Sequence, residues 1–268
     1  MDDLKAEVRD FWNKSSCGER LLLEAEDRAG YREQMKKRYS LEPYIEGFAG
    51  FDSAKDLDVL EIGVGLGAVH QRFAEGGARL TGIDLTDRAV EHTQRRFDLF
   101  GMSSVLLVGD AEALPLRDRS FDVVYSWGVL HHSPNTPVAI NEVWRVLRPG
   151  GLARVMIYHT HALVGYMLWL RYALLAGKPY RSLADIYANH LESPGTKTYT
   201  VKEAGALFHS FSRVGIRTVL THGDLLESEA GQRHRGLMLK LAKLFWPRKF
   251  LRLAMPGHGL FMLIEAQK

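Results

Sequence analysis

The sequence contains only one cysteine, Cys17, among 268 residues. A single thiol cannot form an internal disulfide or a cysteine-based zinc site, so we expect a reducing compartment. The start, MDDLKAEVRD, is acidic and periodic, unlike a secretory signal. The most apolar segment, residues 162–176, is interrupted by Arg171 and is shorter than the ~18 apolar residues that a membrane-spanning helix needs. Together these features favour a cytoplasmic protein.

The chain also has little excess charge, because 35 basic and 32 acidic residues leave a formal charge of +3. The excess is local: residues 233–252 contain seven basic residues and no acid. Apolar residues alternate with those charges, which predicts a surface helix with a buried apolar face, and peripheral contact with anionic lipid is the alternative. We find no nucleic-acid recognition module, so nucleic acid is not an expected partner.

Short apolar runs alternate with amphipathic stretches from about residue 56 onward, which is typical of strands and helices in a parallel sheet. Before them, residues 1–55 are predicted to form a helical arm or lid. The alternation predicts a core over residues 56–160, followed by a helical insertion over residues 161–199 that could cover the substrate. Residues 200–268 would complete the sheet, with a second, basic helical insertion over residues 223–256.

The first predicted strand leads into GVGLG, where Gly63, Gly65 and Gly67 allow a tight turn and close approach to a ligand. This spacing is shared with dinucleotide-binding proteins and does not decide the ligand. The ends of three predicted strands, however, gather four acids: Glu61, Asp84, Asp110 and Glu112. Such a rim would repel a pyrophosphate. It favours S-adenosylmethionine (SAM), which carries a sulfonium and an ammonium group, over a nicotinamide cofactor.

Four segments in order resemble the motif series of class I SAM-dependent methyltransferases: VLEIGVGLG, GIDLT, GDAEALPLRDRSFDVVYSWGVLHHSPN and VLRPGG. The resemblance is to the ubiquinone/menaquinone-biosynthesis type (methyltransferase type 11) and its small-molecule branch, and it covers residues 56–158. It implies an α/β, Rossmann-like sheet of seven strands in the order 3-2-1-4-5-7-6, with strand 7 antiparallel and helices on both faces. The implied cofactor is SAM, and the product is S-adenosylhomocysteine.

The resemblance also implies a role for each motif residue. The methionine end of SAM would be held by Glu61, Gly63, Gly65 and Gly67. The ribose and adenine would contact Asp84, Leu85, Asp110, Ala111 and Glu112, and the methyl side would be lined by Ser126, Trp127 and His131. In related enzymes the region before the core sometimes reaches the methionine carboxylate, for which the candidates here are Tyr31, Arg32, Arg38 and Tyr39.

Methyl transfer from a sulfonium depends mainly on the geometry of approach, so a base is needed only for some acceptors. For a hydroxyl acceptor, we prefer His159 as the base, with His131 and Tyr158 as further candidates. His132 and His161 lie at the same strand ends. The sequence has no HExxH motif, and we expect no metal site.

The sequence therefore predicts a methyltransferase for a small or medium, partly hydrophobic or lipid-like metabolite, with oxygen as the expected accepting atom. The alternatives are a SAM- or nucleoside-binding protein without catalysis, and a C- or N-methyltransferase of a lipid-like, quinone-like or peptide acceptor. The oligomeric state is not predicted.

Overall fold

The structure, a computed structural model, describes residues 2–227, residue 244 and residues 246–268. Its centre is one seven-stranded sheet in the order β3-β2-β1-β4-β5-β7-β6, as the resemblance implied. The strands are β1 (Asp58–Ile62), β2 (Arg79–Asp84), β3 (Val105–Val108), β4 (Phe121–Trp127), β5 (Leu147–Tyr158), β6 (Arg213–Val219) and β7 (Phe261–Gln267). β7 runs antiparallel to both neighbours, and the other pairs are parallel.

Helices precede the sheet, cover its faces and follow β5. The helices of the N-terminal arm are α1 (Asp2–Lys14), α2 (Glu19–Leu22), α3 (Arg28–Leu41) and α4 (Tyr44–Ala49). Those of the core are α5 (Ala68–Glu75), α6 (Asp87–Phe100), α7 (Thr136–Val146) and α10 (Val201–Leu207). The insertions contribute α8 (Leu163–Trp169), a π-helical turn (Leu170–Leu174), α9 (Leu183–His190) and α11 (Arg248–Ala254).

Side chains of the central strands alternate between two cores, because successive residues of a strand point to opposite faces. In β5, Val155 and Ile157 join the core beneath α7 and α10, whereas Met156 and Tyr158 join the core beneath the N-terminal arm. This alternation decides which residues at the end of β5 can reach a site on the arm side of the sheet.

The ends of two helices follow from local contacts. α7 ends at Val146, because Leu147 already pairs with Phe121 and the pairing resumes, after an irregularity, between Val123 and Leu152. α10 begins with a capping box, since the Thr200 hydroxyl accepts from the Glu203 N–H and the Glu203 carboxylate accepts from the Thr200 N–H.

The first insertion is helical, as predicted, and packs through Leu168, Ala173 and Ile186 into a small core of its own. Much of the second insertion lies outside the described residues, including residues 233–243 of the basic surface helix predicted over residues 233–252. The helices that are described include none that combines the length and apolar character needed to cross a bilayer.

Candidate functional site

A cavity of about 650 Å³ lies beyond the carboxyl ends of β1, β2 and β4, where ligands bind in open α/β sheets. This volume is within the range of small-molecule sites, roughly 300–1,000 Å³. One half of the cavity is bounded by the glycine loop and the strand-end acids. The other half is bounded by the N-terminal arm, the first insertion and Trp246.

The glycine loop has a backbone that side chains would not tolerate. Gly63 has φ +86°, and a Cβ built on it would lie 2.0 Å from Cγ2 of Val129. Gly65 has φ +54° and lines the cavity, and a Cβ there would meet no atom within 4 Å. Gly65 therefore leaves open space where a ligand can approach the backbone, as the fit of a nucleoside requires.

Asp84, at the end of β2, is held by its own loop. One carboxylate oxygen accepts from the Thr86 N–H at 3.0 Å and the Thr86 hydroxyl at 2.8 Å, and the other accepts from the Gly65 N–H at 3.3 Å. Burial raises the pKa of Asp84, opposed by these hydrogen bonds. The carboxylate thus has a fixed orientation in the cavity wall.

Glu61 is also fixed, because one of its oxygens lies 2.9 Å from Nδ1 of the fully buried His70. The other ring nitrogen of His70 lies 2.7 Å from the Ser104 hydroxyl. Burial raises the pKa of Glu61, and His70 opposes the shift. A fixed carboxylate at this position fits the ammonium group of a methionine moiety.

The acids after β3 are paired with a residue that the sequence argument did not identify. The Lys5 ammonium of α1 forms ion pairs with Asp110 at 2.5 Å and with Glu112 at 2.8 Å. A cationic side chain of the arm therefore neutralises two of the four strand-end acids. Glu112 also accepts from the Ser133 hydroxyl and from the Asn135 N–H at 2.6 Å. Burial lowers the pKa of Lys5, but the two carboxylates outweigh it and the net shift is upward.

Most of the predicted cofactor residues line one cavity, and the others do not contact it. The predicted residues that line the cavity are Glu61, Gly63, Gly65, Asp84, Leu85, Asp110, Ala111 and Trp127. Those outside the described cavity wall are Gly67, Glu112, Ser126 and His131. Ser126 is fully buried and donates to the Ile62 carbonyl at 3.1 Å, so its role here is to join β4 to β1.

A cluster of polar side chains lies on the acceptor side of the cavity. The Tyr158 hydroxyl donates to Glu192 at 2.8 Å, and Nε2 of His132 lies 3.4 Å from the same carboxylate oxygen. Nδ1 of His132 lies 2.8 Å from the Ser193 hydroxyl. His132, Tyr158 and Glu192 all line the cavity.

His131 packs against two members of this cluster, Tyr158 and His132, without lining the cavity itself. Its ring lies 4.0 Å from the Tyr158 ring and 4.2 Å from the His132 ring, measured between centroids. It is fully buried, and neither of its nitrogens has a hydrogen-bond partner among the described residues. Burial holds the pKa of His131 well below its usual value, so the ring is neutral. Ligand atoms of His131, His132 and Glu192 lie within 4.8 Å of one another.

Two of the candidate bases have surroundings that do not favour that role. His159 is 6% exposed and is absent from the described cavity wall. Its backbone N–H donates to the Leu260 carbonyl, and its ring lies 5.9 Å from that of His161. The neighbouring Tyr158 faces the cavity, but burial and then Glu192 hold its pKa well above the ordinary value. Its hydroxyl therefore stays protonated and acts as a donor.

The N-terminal arm supplies a wall of the cavity, including Val8, Phe11 and Trp12 of α1. Of the four arm residues proposed for the methionine carboxylate, Arg38 lines the cavity, 3.6 Å from Glu42. Tyr31 instead forms a buried hydrogen bond of 2.9 Å with His92. Cys17 has accessible surface that belongs to the cavity, and burial raises the pKa of its thiol to about 12, so the thiol is not a nucleophile.

Residues 60–155 match the methyltransferase domain family. The fatty-acid O-methyltransferase of Mycolicibacterium smegmatis is 37% identical over 116 residues, which are 42% of this chain and 41% of that protein. The sterol 4-C-methyltransferase strm-1 of Caenorhabditis elegans is 33% identical over 100 residues, which are 37% of this chain and 30% of that protein. The chain thus covers less than half the length of either relative.

Among solved structures, the [4+2]-cyclase SpnF has the same fold, with a TM-score of 0.54 and 16% identity, over 92% of this chain and 85% of that chain. This structural similarity covers most of the chain, whereas the family match is confined to residues 60–155. The match over residues 60–155 agrees with the motif series, and the sheet has the strand order that the resemblance to class I SAM-dependent methyltransferases implied.

Proposed function

We propose that this chain transfers the methyl group of SAM to an oxygen atom of a lipid-like acceptor. The observation that carries the proposal is that one cavity joins a half with fixed carboxylates and open glycine backbone to a half lined with aliphatic and aromatic side chains. Relatives named for fatty-acid and sterol acceptors support a lipid-like substrate, and they differ in the atom that is methylated.

The cofactor half would hold SAM through groups that already have fixed orientations. Glu61 would accept from the ammonium group, and the Arg38 guanidinium would bind the carboxylate. Asp84 would accept from the ribose hydroxyls, with Leu85 and Ala111 against the adenine. Bound SAM supplies an electrophilic methyl group on a sulfonium, and the protein supplies the orientation of the acceptor toward it.

The acceptor half would remove a proton through the pair formed by Glu192 and His132, in place of His159. Tyr158 orients the Glu192 carboxylate by donating to it at 2.8 Å, and the Ser193 hydroxyl fixes the His132 ring. A hydroxyl acceptor would lose its proton to this pair. A carboxylate acceptor is already ionised and needs no base, so the pair would matter for one acceptor class and not for the other.

The first test measures S-adenosylhomocysteine formed from SAM in the presence of a fatty acid, a long-chain hydroxy acid or a phenol. Asp84→Asn should abolish turnover and weaken SAM binding, while Asp87→Asn, an exposed residue of α6, serves as the matched control. Tight SAM binding with no turnover on any acceptor would instead favour the non-catalytic alternative.

The second test separates the proton-accepting pair from the rest of the cavity. Glu192→Gln should lower kcat for a hydroxyl acceptor by about a hundredfold or more, the usual contribution of a general base, without changing SAM affinity. The same variant should retain activity on a carboxylate acceptor. His159→Gln should behave as the wild type, and a loss of activity in that variant alone would restore His159 as the base.

A further inference from the structure

The mouth of the cavity is marked by residues that belong both to its wall and to the outer surface. Leu21, Leu170 and Leu175 line the cavity and are 40%, 46% and 67% exposed. Arg171 is also exposed and lines the cavity. The opening of an apolar cavity is therefore surrounded by leucines that face solvent, an arrangement that costs free energy in water.

More exposed apolar residues extend from this mouth. Leu174 is 47% exposed, and on α11 Phe250 and Leu253 are 63% and 85% exposed. α11 packs inward through Leu251, which is buried in one cluster with Leu163 of α8. Phe250 and Leu253 lie away from Leu251 on the helix and point outward. We call the exposed apolar residues of 170–175 and of α11, together with the leucines at the opening, the mouth face.

Position along the chain connects the two parts of this face. Trp246 lines the cavity and packs into the cluster that joins α8 to α11, and α11 begins two residues later. The Trp246 indole donates to the Asp224 carbonyl at 3.0 Å, which fixes the start of this segment against the cavity wall. Trp246 therefore links the start of α11 to the wall of the cavity.

The charges on the mouth face are mainly positive. Arg171, Lys178 and Lys249 lie within or beside it, and none of them forms an ion pair with another described residue. Its acids are paired, since Asp185 binds Arg181 at 2.5 Å and Glu227 binds Arg252 at 2.5 Å. Two copies of this chain meeting through equivalent faces would bring like charges together, which disfavours a symmetric dimer here.

We propose that the mouth face docks on an anionic lipid bilayer, so that a lipid-like acceptor passes from the membrane into the cavity. The exposed leucines and Phe250 would enter the interfacial region, and the basic residues would contact the headgroups. The proposal rests on the proposed function for the identity of the acceptor, but docking itself can be measured without turnover.

The experiment uses the full chain and vesicles of phosphatidylcholine alone or mixed with phosphatidylglycerol, at low salt. The wild type should sediment with the mixed vesicles and less with the neutral ones. The double variant Leu174→Asp, Leu253→Asp should bind about tenfold more weakly or worse, because each leucine loses its apolar burial. Val201→Asp places the same charge at an exposed residue of α10 as the control and should bind as the wild type.

Several outcomes would overturn docking. These are failure of the wild type to bind mixed vesicles, equal binding by the double variant, or a solution dimer that the double variant abolishes. SAM binding by calorimetry and methyl transfer to a short, water-soluble acceptor should be unchanged in the double variant, because Leu174 and Leu253 lie outside the cavity wall. If transfer fails in every variant while vesicle binding persists, the proposed function falls and docking stands.

Discussion

Lys5 connects α1 to the acids at the adenine side of the cavity, and we predict that this contact controls the release of SAM. In Lys5→Met the side chain keeps its length and apolar stem but loses both ion pairs. The Lys5 side chain is 28% exposed, and its partners Asp110 and Glu112 are 30% and 12% exposed, so both pairs are partly screened. Such pairs contribute roughly 0.2–1 kcal/mol each, and we expect a loss of about 1 kcal/mol.

That free energy corresponds to about a fivefold change in the equilibrium between an attached and a detached α1. The dissociation rate of SAM, measured by stopped-flow competition, should therefore rise about fivefold, as should amide hydrogen exchange over residues 2–14. Lys14→Met changes an exposed lysine of the same helix and should have no effect. Added salt should speed release from the wild type more than from Lys5→Met. An unchanged dissociation rate in Lys5→Met would refute this role of α1.

Two further predictions concern the glycine loop and the attachment of the arm. Gly63→Ala should abolish SAM binding and destabilise the fold, because its Cβ would lie 2.0 Å from Cγ2 of Val129. The Cβ of Gly65→Ala meets no atom within 4 Å, so this variant should lose less stability, about 1–2 kcal/mol in the free energy of unfolding. Equal losses in urea unfolding would contradict the contact argument. Arg88 donates to Glu19 at 2.7 Å and lowers the pKa of that carboxyl from 4.5 to about 2. This stabilisation is present above pH 4.5 and is lost as pH falls toward 2, so Arg88→Met should lower Tm at pH 7 and have a smaller effect near pH 3.

The alternation of strands and helices predicted a parallel sheet, and the strand order followed from the resemblance of the motif series to a known family. The sequence also located Glu61, Asp84 and Asp110, since the ends of parallel strands meet at one edge. The orientation at the end of β5 was harder to predict. Tyr158 is the last residue of β5 and His159 follows it, so the two side chains face opposite sides. No local signal shows which side holds the site.

The acceptor half depends on contacts between distant parts of the chain. Lys5 is 105 residues from Asp110, and Glu192 is 34 residues from Tyr158. Neither pair has a spacing that sequence reasoning could use, because the partners meet only after the arm and the first insertion pack on the core. The strand-end acids thus predict a cofactor site from the sequence, whereas the cavity walls that contact an acceptor depend on tertiary packing.

Methyl transfer to oxygen is tested most directly by mass spectrometry of the products formed from methyl-labelled SAM with a long-chain fatty acid and a long-chain hydroxy acid. We expect a labelled methyl ester or methyl ether, with one S-adenosylhomocysteine formed for each product, and loss of both in Asp84→Asn. SAM binding without any labelled product, or label found only on carbon or nitrogen of other acceptors, would contradict transfer to oxygen.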